Sequence, residues 1–183
     1  MKDTVIAAEE VKARWAYCEI TSERFGGTYR TTLPGSVWAA AVSGAPFSQV
    51  PASEWPRLIA ALKIARNSEF IDCIDRFGAP RYLCVEWEVP RLLSCLTLPY
   101  FGQAQYFRFL ALPPRQDAVG NPDNNDPRLR SDVIPFNTTL ALKEPLIAIL
   151  ANGAPMLLEG YLRSILWLRN PVHPLPVWVP VAR

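Results

Sequence analysis

Met156-Leu157-Leu158-Glu159-Gly160-Tyr161-Leu162-Arg163 is the stretch on which the reading of this chain turns: an apolar run stops at an acid and a glycine, and an arginine follows three residues later. Continuous apolar residues suit a strand buried on both faces, Gly160 gives the backbone freedom that a tight turn needs, and apolar residues resume beyond it at helical spacing. The reading is strand, turn, helix. Such a junction draws Glu159, the backbone around Gly160 and Arg163 toward one point, where the amides that open a helix can hold an anion.

Working outward, the helix begun at Tyr161 is predicted to run through Arg169. Leu175, Val177, Val179 and Val181 then alternate as a closing strand in which Pro174, Pro176 and Pro180 share the other parity, so every missing donor falls on one side. That strand is expected at a sheet edge. Upstream, Leu142, Leu146, Ile149 and Leu150 fall on one helical face, with the regular helix starting near Pro145 and Asn152-Gly153 as its left-handed stop. Tyr82 to Val89 alternates as a half-buried strand, with Leu83, Val85, Trp87 and Val89 facing in and Tyr82, Cys84, Glu86 and Glu88 facing out. Leu92 to Leu98 and Tyr106 to Leu112 are also strand-like, whereas Pro113 to Asp132 is full of turn formers and reads as a long surface loop.

The N-terminal part reads as helical. Residues 7 to 24 carry an apolar stripe of Val11, Trp15, Cys18 and Ile20, with Gly26-Gly27 as a stop. Ser53 is placed to cap a helix bearing Trp55, Leu58, Ile59 and Leu62, and Ser68 opens a second bearing Phe70, Ile71 and Ile74 and closed by Gly78 and Pro80. Between these, Gly27 to Pro51 holds one short apolar patch, Val37 to Val42, whose pattern does not choose between strand and helix turn. The expected architecture is a single mixed α/β domain: a helical region over 1–80, and over 81–183 a small mixed sheet flanked by helices with a loop at 113–132.

Composition narrows the function classes. With 183 residues, half of them hydrophobic, and six Trp, eight Phe and six Tyr, the chain has the makings of a folded core. A net charge of +2, with scattered Lys and Arg, does not make the single-sign stripe that phosphate-backbone binding requires. Cys18, Cys73, Cys84 and Cys95 form no C-x-x-C pair, and the lone His173 does not complete a zinc set. No apolar segment reaches bilayer length, and the start lacks the pattern of a secretion signal, so a cytoplasmic protein with reduced thiols and no membrane partner is expected.

The order from residue 130 to 181 resembles the N-terminal domain of the ParB and sulfiredoxin-like superfamily: helix to Asn152-Gly153, strand to Glu159-Gly160, helix with Arg163, then a proline-rich strand through Pro176-Val177-Trp178-Val179. Members of that superfamily include nucleotide-dependent partition proteins, sulfinic acid reductases and small-molecule kinases, so the resemblance implies binding of a nucleotide phosphate. This chain departs from many relatives in having Glu159 for Asp and Leu162 before the arginine. Tyr161 and Leu162 stand where sulfiredoxins carry a Cys, which disfavours sulfinic reduction. No helix-turn-helix module follows the last strand before Arg183, so operator binding is not expected.

Residue roles follow from that resemblance. Gly160 would allow close approach of a phosphate, the amides of Tyr161, Leu162 and Arg163 would contact it, Arg163 would add a charge-assisted bond, and Ser164 a hydroxyl. Glu159 would orient a hydroxyl or act on it as a base. The plainer alternative is a permissive turn, an i,i+4 pair of Glu159 with Arg163, and a serine bonded to its own backbone. The leading expectation is a nucleotide-binding protein taking ATP or CTP with Mg²⁺, as a phosphotransferase or nucleotide hydrolase. The alternatives are a non-catalytic interaction or regulatory protein of a mobile element or toxin system, and a nuclease with Glu86, Glu88 and Glu159 around a metal. Elsewhere the loop aspartates lack EF-hand spacing, Arg128 and Arg130 border the loop as candidate phosphate contacts, and Trp167 and Trp178 are expected to pack.

Overall fold

The computed structural model describes residues 2–22, 24–66, 68–97, 107–108, 144–151, 153–169, 171 and 173–181. In chain order these form β1 (Val5–Ala7), α1 (Ala8–Glu19), α2 (Gly26–Thr32), α3 (Gly35–Val42), α4 (Trp55–Ala65), α5 (Ser68–Phe77), β2 (Arg81–Trp87), α6 (Val89–Ser94), β3 (Leu96–Thr97), β4 (Phe107–Arg108), β5 (Leu146–Ala151), β6 (Ala154–Glu159), α7 (Tyr161–Arg169) and β7 (Leu175–Pro180). The content is mixed α/β, as expected. Among the described residues no helix is long and apolar enough to cross a membrane. The predicted loop at 113–132, Arg128, Arg130, Leu142 and Asn152 lie outside the described residues.

The described residues fall into two compact units: a helical one from those of 6–76 with Glu144, and a sheet one from those of 2–5, 77–97, 107–108 and 145–181. In the helical unit, α4 forms as its sequence predicts, with Pro56 in the first turn and Leu58, Ala61 and Leu62 buried along one face. Ser53 does not cap it: Ala52–Glu54 is a 3₁₀ turn that runs straight into the helix. The undecided segment after Gly27 is helical, forming α2 and α3. Gly26 opens α2 rather than stopping α1, and a Cβ there would stand 2.8 Å from the Ile20 carbonyl oxygen. Glycine is needed at that position for close approach.

Among the described residues the strand order of the sheet is β1-β2-β7-β5-β6-β3-β4. β2 runs antiparallel to β7, β5 antiparallel to β6, and β5 parallel to β7. One face of the sheet holds Trp87, Leu146, Ala148, Leu157, Leu175 and Val177 in a core cluster joined by Leu92 and Cys95. The other carries Tyr82, Cys84, Ile147, Ile149, Met156 and Trp178, all buried. Two-faced burial overturns part of the expected wet face of β2: Tyr82 and Cys84 are interior, whereas Glu86 and Glu88 are exposed. β2 also stops at Trp87, because Glu88 is the N-cap of α6 and Pro90 lies in that helix's first turn. The predicted strand from Leu92 is accordingly helix first and then the two-residue β3 as far as Thr97, with Leu98 outside the described residues.

The predicted helix ending at Asn152-Gly153 is instead strand β5, and Gly153, at φ 79°, sits in the hairpin turn to β6. Leu146, Ile147, Ala148 and Ile149 are all buried. An apolar run buried on both faces of a sheet carries no alternation, so its spacing matches a helical face by chance. The Asn-Gly dipeptide between two apolar runs was the better guide, being a strong hairpin signal.

β7 is not at the edge. Val181 N–H donates to Arg81 O at 3.0 Å, so amides of that parity face β2, while Pro176, Trp178 and Pro180 face β5. Pairing with β5 is confined to Leu146↔Val177 and Ile147↔Trp178, around the one residue of that parity in β7 that keeps an N–H. The prolines do share a side, and the consequence is a short ladder in place of a free edge.

Candidate functional site

The strand–turn–helix read from Met156 to Arg163 is present as β6, Gly160 and α7. A register shift against β5 pairs Ile147 with Glu159 but Ala148 with Leu157, leaving Leu158 as the extra residue of a bulge. A bulge bends and twists its strand, which re-aims the chain just before Glu159. Gly160 then takes φ 105°, a conformation that L side chains rarely adopt.

Glu159 Oε1 and Arg163 Nη2 lie 3.9 Å apart, one helical turn separating them, with only 13% and 12% of their side chains exposed. Sequence reasoning placed these two groups together, and the structure does so. Ser164 is fully buried, and both its N–H and its hydroxyl donate to the Gly160 carbonyl, at 2.8 and 2.9 Å. The hydroxyl thus reinforces the first turn of α7. A Cβ added at Gly160 would fall on the side chain of Leu146, 3.0 Å from its Cγ. The close approach that this glycine permits is therefore to a core leucine of β5. Tyr161 packs its ring against the same core cluster, while the amides of Tyr161, Leu162 and Arg163 belong to the opening turn of α7.

The remaining candidates are dispersed. Glu86 is ion-paired with Lys2 at 3.0 Å, and Glu88 is an exposed helix cap, so neither joins Glu159. Among the described residues no group of three His, Cys, Asp or Glu side chains is placed to hold a metal. His173 is exposed, and its carbonyl accepts from Trp167 Nε1 at 2.6 Å. Trp167 packs on the core cluster and Trp178 is buried.

A second polar cluster, in the helical unit, was not anticipated. Glu19, 5% exposed, accepts from Trp15 Nε1 at 2.9 Å and Arg66 Nε at 2.8 Å on one oxygen, and from Tyr29 Oη at 3.1 Å on the other. Trp15 and Glu19 stand four apart on α1, a spacing visible in the sequence, but their partners come from α2 and the end of α4. Further ion pairs in the same unit include Lys12 with Asp75 at 2.8 Å and Lys63 with Asp72 at 2.7 Å. The Lys63 ammonium, by its hydrogen bond, holds the Asp72 carboxyl below the usual carboxylate range.

Comparison of the chain with protein-family models, with curated proteins and with solved structures gives no match.

Proposed function

We propose that the chain binds a nucleotide-type anion at the β6–α7 turn, in the manner that a ParB and sulfiredoxin-like domain implies, with Arg163 as the charged contact. The observation that supports this is the placement of Arg163. It stands in the first turn of α7, a turn containing no acidic residue. The amides there carry the positive end of the helix dipole, an unfavourable place for a cation and a favourable one for an anion. A phosphate beside Arg163 would offset both charges, taking over from Glu159 and leaving that carboxylate to meet a ligand hydroxyl.

ATP or CTP is the ligand class proposed, with Mg²⁺ carried on the phosphate oxygens, since Mg²⁺ keeps most of its shell as water and phosphate and needs few protein ligands. Whether phosphoryl transfer or hydrolysis follows depends on Glu159. Thermal denaturation with ATP, CTP, GTP and ADP, each with Mg²⁺, tests the reading. A ligand at 100 times its Kd stabilises the native state by about 2.7 kcal/mol. A rise in melting temperature that Arg163→Ala abolishes is expected, and no rise for any nucleotide would overturn it.

A second reading has its own support. Leu146 occupies the space over Gly160, and Ser164 is committed to the Gly160 carbonyl. Both favour a strand–turn–helix kept as scaffold, in an interaction or regulatory protein without turnover. In that case Arg163→Ala and Glu159→Gln lower the melting temperature by similar amounts, and nucleotides leave it unchanged.

A further inference from the structure

We propose that Glu19, Trp15, Tyr29 and Phe25 form a guanidinium receptor that Arg66 fills from within the chain, a latch fastening the end of α4 to α1 and α2. Arg66 is the C-cap of α4, its N–H bonded to Leu62 O at 2.9 Å. From there the side chain reaches Glu19 with two nitrogens, Nε and Nη2, on one carboxylate oxygen. Its Cζ lies 4.3 Å from the centre of the Phe25 ring and 5.6 Å from that of Trp15.

Each part suits a planar cation. Trp15 and Tyr29 donate to Glu19 and hold the carboxylate in place without neutralising it. An ionised carboxylate this buried needs a counter-charge. Aromatic faces attract a weakly hydrated guanidinium, and its forked donors match a carboxylate better than an ammonium does. The ligand class is therefore the arginine side chain. One offered by another molecule must compete with Arg66, whose attachment to the same chain gives it a high effective concentration.

Arg66→Ala opens the receptor, and the probe is methylguanidinium at millimolar concentration, compared with methylammonium. Methylguanidinium is expected to raise the melting temperature of Arg66→Ala by several degrees, to leave the wild-type chain unshifted, and to lose its effect in Arg66→Ala/Glu19→Gln. Equal stabilisation by methylammonium, persistence of the effect without Glu19, or no effect on folded Arg66→Ala would each overturn the proposal. If Arg66→Ala is unfolded, recovery of its far-ultraviolet circular dichroism on adding methylguanidinium supports the receptor. Failure to recover sinks it.

Discussion

Gly160 and Leu146 meet where the sheet turns into α7, and the pair shows how one position can serve either packing or a ligand. Its positive φ and the Leu146 side chain each forbid a larger residue there. Left-handed strain and overpacking each cost about 1–3 kcal/mol, so Gly160→Ala should lower unfolding free energy by about 3 kcal/mol or more in denaturant titration. Adding Leu146→Ala should recover part of the packing cost of that second substitution, because the new methyl then enters vacated space while the φ strain stays. Strict additivity of the two would show that they do not share the space. The need for glycine at 160 was legible from strand-to-helix spacing, as was the Glu159–Arg163 pairing. What fills the space above it was not, since Leu146 lies fourteen residues earlier, in a segment whose spacing fits a helical face although it forms strand β5.

At the scale of elements, the hairpin of β5 and β6 sets the site, because it delivers both Leu146 and the bulge that turns Glu159. Gly153 and Gly160 both have positive φ, but a Cβ at Gly153 would meet nothing within 4 Å. Gly153→Ala should therefore cost only the backbone term, about 1 kcal/mol, and equilibrium unfolding should rank it well below Gly160→Ala. A loss as large as that of Gly160→Ala would refute the open turn. Helices α4 and α5 and strands β6 and β7 were legible because each has one apolar face or a clear break at its end. β5 was not, and neither was the inner position of β7. Burial on both faces erases the period-two signal, and proline parity names the side with missing donors but not the length of ladder that one tryptophan amide permits.

For the whole molecule, acid stability should report the Lys63–Asp72 pair. Because the folded carboxyl titrates below its unfolded value near 3.8, the pair stabilises the native state above that value. This contribution is lost as pH falls through the lower, folded value. Asp72→Asn should flatten the corresponding part of a stability–pH curve below about pH 4 and leave the alkaline side alone. Both side chains are about one-third exposed, at 38% and 34%, so added salt should shrink the difference between wild type and variant. An acid limb identical in the two proteins would show that the pair carries no folding linkage. The Lys2–Glu86 contact works in the opposite sense: the ammonium is held above its ordinary value by its hydrogen bond to Glu86, so its contribution is present below that ordinary value and is lost as pH rises through the raised, folded one.

By itself, the sequence determined the mixed α/β class, the helices at Ala8–Glu19, Trp55–Ala65 and Ser68–Phe77, the strand–glycine–helix junction and the closeness of Glu159 to Arg163. These are local properties, set by periodicity, backbone freedom and neighbours one turn apart. Tertiary structure alone decided that β5 is a strand, that β7 lies inside the sheet, that Leu146 covers Gly160, and that Arg66 reaches Glu19 across 47 positions of chain. Each depends on which distant segment supplies the partner. Burial energy rewards any apolar neighbour alike, so a residue pattern can require a partner without naming it.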